Sequence, residues 1–251
     1  MHFHLPKPLH GWRAFAGEVG IIVIGVLIAL AAEQAVEDWR WHGQVEVSTR
    51  GFKDELLSSA QTAYERMAVQ PCLQGQLRAL SAQLVKGGDT WHALPSPLKD
   101  PRRFYEGVTP VIYRPPNRPV YEDAWRNALA DGTINHLDKG QAETLSTAYG
   151  SVAQIKELEA DEGRTESKIN PLGYDLSLNQ QERVQMIQAI AELDRLNGLL
   201  LINGRDLFTE IRSAKLGITA AETAKIRKDV LDVQRSYRGT CVRTDLPLDL
   251  S

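Results

Sequence analysis

The chain has 251 residues, 43% of them hydrophobic and 24% charged, with 19 glycines, 12 prolines and two cysteines. Those proportions exclude a collagen-like chain, a disordered chain and a disulfide scaffold. A formal net charge of -3 gives no general reason to expect nucleic-acid binding, so no nucleic-acid partner is expected.

Charge and apolar character are unevenly spread. Residues 1–32 hold Lys7, Arg13 and a single acid, Glu18, together with Val19–Ala32, a run without a polar side chain. Taken alone, that run covers about 21 Å, short of a hydrocarbon core of about 30 Å. Helix-compatible residues extend it on both sides, and Phe15–Val36 reaches about 33 Å, enough to span a bilayer. Glu18, Glu33 and Gln34 lie near its ends, where polar heads reach the interface cheaply. Trp12 on one side and Trp39 with Trp41 on the other are spaced as interfacial aromatics.

Three readings of this segment stand side by side. Lys7 and Arg13 make a basic n-region and Ala29-Leu30-Ala31 a small-x-small site, as in a cleaved signal peptide. A buried core helix is the second. The third, an uncleaved anchor, is favoured because Glu18 crowds the apolar run and no helix breaker separates it from Glu33–Trp41. The chain then divides into a head (1–14), a transmembrane anchor (15–36) in contact with the lipid bilayer, and a helical soluble domain (37–251). The Lys/Arg balance does not set orientation, since Arg40, Arg50 and Lys53 follow the span. An acid-free head, against Glu33, Glu37 and Asp38 beyond the span, favours the head inside and the large domain outside.

Beyond the anchor the apolar spacing is helical. Phe52, Leu56, Ala60, Ala63 and Met67 form one stripe. Pro71 suits the first turn of a new helix carrying Leu73, Leu77, Leu80 and Leu84, which Gly87-Gly88 ends. Residues 87–119 contain seven prolines and read as an extended proline-rich loop or small cap. Asp138 with Gln141 opens a helix with Leu145, Ala148, Val152, Ile155 and Leu158 inside. Residues 165–178, around Asn170-Pro171, read as a connector. Asn179 with Glu182 and Thr219 with Glu222 are capping-box signatures for two further helices. Each stripe covers part of its helix only, so the expected fold is all-α: an antiparallel bundle of about five or six helices behind a transmembrane helix.

Cys72 and Cys241 are far apart and form no C-x-x-C motif. In an exported domain they most simply pair as a disulfide; in a cytosolic one they are two unrelated buried thiols.

The pattern Gly17-Glu18, then Ile24-Gly25-Val26-Leu27-Ile28-Ala29-Leu30 and a later tryptophan, resembles an uncharacterised bacterial family of small single-pass inner-membrane proteins. That family, a domain of unknown function, opens with G-E-x(4)-V-I-G-I-L-I-A-L followed by N-N-W. Here the tryptophan comes later, at Trp39, and the N-N pair is absent. The resemblance covers about 25 residues. It implies a bacterial inner-membrane protein with a helical soluble part, which the orientation favoured above would put in the periplasm, and it lends no activity and no site residues.

Catalytic signatures are absent: no G-x-S-x-G, H-E-x-x-H, Walker A or G-x-G-x-x-G occurs. No cofactor, metal or catalytic residue is therefore expected. His2, His4 and His10 cluster in the head without the fixed second ligand shell a metal site needs. Asp131-Gly132-Thr133 and Asp138 lack calcium-loop spacing and read as a helix C-cap, a turn and a new N-cap. The most ligand-like surface is the proline-rich loop, where Arg102, Arg103, Arg114 and Arg118 interleave with Phe104, Tyr105 and Tyr113. Arginine forks there suit carboxylates or phosphates, and a solvated connector is the bland alternative. In the anchor, Glu18, Gly25 and Ala29 share a helix face with small-x-x-x-small spacing, the pattern of helix packing in a membrane. The function expected is a membrane-anchored binding or scaffold protein with an unknown protein partner. The alternatives are a homo-oligomeric membrane assembly packed through the anchor, or an exported helical protein with a cleaved signal.

Overall fold

The structure, a computed structural model, describes residues 11–88, 90–96, 98 and 110–251, and the side chains of residues 13 and 14 are not described. The protein is all-α. Among the described residues the elements are α1 (Trp12–Lys86), β1 (Thr90–Trp91), α2 (Asp123–Ala130), α3 (Lys139–Ile169), β2 (Leu176–Ser177), α4 (Gln180–Ser213) and α5 (Ala220–Arg238). The chain falls into two compact units, Met1–Val47 and Ser48–Ser251, and α1 contributes residues to both.

The first unit is helical from Trp12 onward. Its side chains Ile21, Ile22, Ile24, Leu27, Ile28 and Leu30 are all exposed. By length and composition this part of the helix is apolar enough to cross a membrane, and none of its most apolar 18-residue window is buried. The helix runs on through Glu33–Trp41, where no glycine or proline interrupts it.

In the second unit the core is divided in two. One cluster joins Phe52, Leu56, Ala60 and Met67 of α1 to Leu145, Val152 and Ile155 of α3, Leu200 and Leu207 of α4 and Val230 of α5. The other joins Leu73, Leu77, Leu80 and Leu84 of α1 to Trp91, Tyr113, Ile169, Leu172 and Leu193. α3 and α4 pack along one another as a helical hairpin. Capping follows the sequence signals: Asn179 with Glu182 and Thr219 with Glu222 form reciprocal capping boxes, and Asp138 accepts from the Gln141 N–H. α2 has no cap from its own Glu122. Instead the Glu55 carboxylate of α1 accepts from Ala124 N–H at 2.8 Å and from the Tyr149 hydroxyl at 2.7 Å. A negative charge is favourable at that helix N-terminus.

Two expectations are corrected. Pro71 does not begin a helix; it lies inside α1, so the stripes at 52–67 and 73–84 belong to one helix. Proline gives no N–H to the Met67 carbonyl. In the same turn the Ala68 carbonyl accepts from Arg243 N–H at 2.8 Å, and the Cys72–Cys241 disulfide joins the two segments (Cα–Cα 5.2 Å). The C-terminal segment thus packs against the turn of α1 that holds Pro71. The second correction concerns the connector at 165–178, whose first residues are helical. α3 continues to Ile169, which packs in the second core cluster, before a 3-10 turn at Asn170–Gly173.

Among its described residues the proline-rich loop is irregular apart from β1, which pairs antiparallel with β2, Thr90 opposite Ser177 and Trp91 opposite Leu176. It also carries core. The Trp91 indole N–H donates to the Leu172 carbonyl at 2.9 Å from a fully buried position.

α1 and α4 approach closely at Gly204. A Cβ there would lie 3.1 Å from Ala63 Cβ and 3.1 Å from Met67 Cε. Gly204→Val is expected to cost about 1–3 kcal/mol by overpacking, read as a lower urea midpoint. Gly204→Ala is expected to cost less, because the helix-propensity gain of about 1 kcal/mol offsets the crowding.

Candidate functional site

Between the two core clusters the bundle carries a layer of charged groups. Arg66 of α1, Glu162 of α3, Asn197 of α4 and Tyr113 of the loop are all buried. Arg66 makes a two-pronged ion pair with Glu162: Nη1 donates to Oε1 at 3.0 Å and Nη2 donates to Oε2. Arg66 also donates to Asn197 Oδ1 at 3.1 Å and to the Pro116 carbonyl at 3.2 Å. The Tyr113 hydroxyl donates to Glu162 at 3.1 Å and accepts from Asn197 Nδ2 at 2.6 Å. Four segments distant in sequence therefore meet on one guanidinium–carboxylate pair. Burial disfavours the Arg66 cation, but the adjoining Glu162 carboxylate outweighs it and holds the pKa above its usual value.

A second chain of contacts runs outward from the neighbouring residue. Glu65 of α1, also buried, accepts from both arms of the Arg118 guanidinium and from Gln234 of α5. Gln234 in turn accepts from Arg238 Nε at 2.9 Å, and Arg238 Nη2 donates to the Arg114 carbonyl at 2.5 Å. Arg114, Arg118, Glu65, Gln234, Tyr237 and Arg238 line a cleft of about 200 Å³ between α5 and the loop.

The layer holds surplus carboxyl groups on α3. Glu159 is pushed up to about 7, chiefly by burial, against the opposing pull of Arg66 and with the added repulsion of Glu162. Glu166, half-buried near Arg114, is likewise raised to about 7 by burial. Both folded-state values lie above the ordinary 4.5, so the folded chain binds more protons between those limits. Their contribution to stability is complete below about pH 4.5 and is lost as pH rises through 7. Glu159→Gln is expected to raise the thermal midpoint at pH 8 and to flatten its fall between pH 5 and pH 8, followed by circular dichroism. The depressed carboxyls, such as Glu222 at about 2 beside Lys53, act below this window.

The residues singled out from sequence fall in different places. Arg114 and Arg118 meet at the cleft, while Arg102 and Arg103, with Phe104 and Tyr105, lie outside the described residues, as do His2, His4 and His10. Glu18, Gly25 and Ala29 are exposed on the first unit, and a Cβ on Gly25 would meet no atom within 4 Å. Cys72 and Cys241 form a disulfide. Asp131 ends α2, Gly132 takes a left-handed conformation (φ 82°), and the Asp131 carboxylate accepts from Thr133 N–H and Oγ1. Those contacts are a turn, not a cation loop. No group of three or more His, Cys, Asp or Glu side chains is arranged for a metal ion among the described residues.

Sequence reading missed Arg66, Glu162, Asn197, Glu65 and Gln234. A signal was present on α3. Its apolar stripe reaches Leu158 and resumes at Ile169, and the core-facing steps between include Glu159, Glu162 and Glu166. Asn197 interrupts α4 in the same way between Leu193 and Leu200. Acids and amides at core-facing steps of a helix must find partners inside. No protein-family model, curated protein or solved structure matches the chain.

Proposed function

We propose that the protein is a single-pass, membrane-anchored helical binding module whose bundle lies outside the bacterial cytoplasm. The observation that carries this reading is the fully exposed apolar window of α1. A core helix would bury such a surface against its own chain, and exposing it to water is unfavourable by about 25 cal/mol per Å². Lipid is the solvent that suits it. A disulfide between Cys72 and Cys241 supports an oxidising compartment for the bundle. A head carrying Lys7 and Arg13 but no acid supports an inside N-terminus. The bundle offers partners a helical surface.

Membrane fractionation tests the anchoring. The full chain is expected to stay in the membrane pellet through alkaline carbonate washing and to leave it only with detergent. Release by carbonate alone would refute a spanning helix.

A further inference from the structure

Residues 242–251 hold no helix or strand and lie across α1, α4 and α5. Their burial alternates. Val242 and Leu250 are buried, and Leu246 and Leu248 pack half-buried against the core. Arg243, Asp245, Pro247, Asp249 and Ser251 are exposed. Thr244, also exposed, is the one break in a pattern that belongs to an extended chain.

The bundle grips this segment mainly by its backbone. The Arg243 N–H donates to the Ala68 carbonyl at 2.8 Å. Three bundle side chains donate to carbonyls of the segment, each at 3.1 Å: Arg227 to Thr244, Tyr64 to Leu246 and Arg212 to Asp249. Main-chain contacts of this kind hold any extended chain that fits, and the seats for alternate side chains select among them. Tyr64 is fully buried, so its hydroxyl needs a carbonyl above it whichever chain supplies one. Between Leu248 and α5 lies a cleft of about 440 Å³, room for larger side chains than the segment's own. Its α5 wall presents Arg227, Lys228 and Arg235 against one acid, Asp232.

We propose that this groove is a peptide-binding site and that residues 242–251 are its occupant in cis, a strap that a partner segment displaces. The partner is an extended peptide with apolar side chains at alternate positions and acids between them. The strap carries that pattern itself, and its Asp249 pairs with Arg212 of α4. The Cys72–Cys241 bridge tethers the strap at its base. A displaced strap therefore stays close and competes at a local concentration on the order of millimolar. The proposal rests on the reading of the bundle as a binding module, and it does not depend on the anchor, which carbonate washing tests separately.

The test titrates the full chain in detergent with a fluorescent peptide of residues 242–251. The double variant Leu246→Ser with Leu248→Ser loosens the strap at its two half-buried seats. The peptide is expected to bind this variant saturably and at least tenfold more tightly than it binds the unmodified chain. Tyr64→Phe in the same background is expected to weaken binding about threefold, the worth of one hydrogen bond. If the double variant fails to fold, the methyl resonances of Leu246, Leu248 and Leu250 in the unmodified protein decide: excess peptide must shift them. No saturable binding to the folded variant, equal binding of a scrambled peptide, or unmoved leucine methyls overturns the proposal. Dimers linked by Cys72–Cys241 bridges between copies, seen on a non-reducing gel, would make the occupant a second copy's strap and overturn it as well.

Discussion

Arg66→Ala is expected to lower the stability of the helical unit by about 3–5 kcal/mol, the usual cost of stranding one partner of a buried ion pair. Arg66 is bonded to Glu162, Asn197 and the Pro116 carbonyl, so its loss orphans groups on α3, α4 and the loop together. Of its described hydrogen-bond partners, Glu162 would keep the Tyr113 hydroxyl. Equilibrium unfolding in urea reads the loss. The double variant Arg66→Met with Glu162→Leu separates two causes. If the penalty comes from the stranded carboxylate, the double variant recovers most of it, because burying two apolar side chains of similar volume is near neutral. If it comes from lost packing, the double variant stays as unstable as the single one.

Replacing both cysteines by serine is expected to cost about 2–5 kcal/mol. The bridge closes a separation of 169 residues, for which chain entropy alone gives about 5 kcal/mol at 25 °C. Native contacts add a smaller part, since Ala68, Cys72 and Val242 form only a minor apolar cluster beside the bridge. The denaturant slope separates these contributions. A constraint acting on the unfolded chain raises the m-value when it is removed, because the freed chain exposes more surface. An unchanged slope with a large loss of stability would place the effect in native contacts around Pro71 and Arg243 instead. Reduction of the unmodified protein should reproduce the serine variant.

Local signals predicted most of the architecture. The capping pairs Asn179–Glu182 and Thr219–Glu222 sit where the structure has its capping boxes, because an N-cap bond is decided within four residues. The stripe from Phe52 to Met67 is core for the same reason: periodicity of 3.6 is a local property. Pro71 reads locally as a helix start, whereas α1 runs through it in a turn that the distant Arg243 and Cys241 pack against. The charged layer was only partly legible. Glu159, Glu162 and Glu166 announce a polar interruption of α3, but that Glu162 meets Arg66 of α1 and Tyr113 of the loop is a tertiary fact. Arg114 and Arg118 were visible as arginines in a proline-rich loop. That α5 brings Gln234 and Arg238 to them was not, since α5 reads in sequence as an ordinary amphipathic helix with an exposed charged face.

The central proposal, an uncleaved anchor with the bundle outside, meets its most direct test in protease treatment of spheroplasts followed by mass analysis of the membrane-retained fragment. The expected product is a short peptide that begins at residue 1 and ends shortly after the span, with the bundle digested. A protected full-length chain would contradict the orientation, and retention of no N-terminal fragment would contradict the anchor.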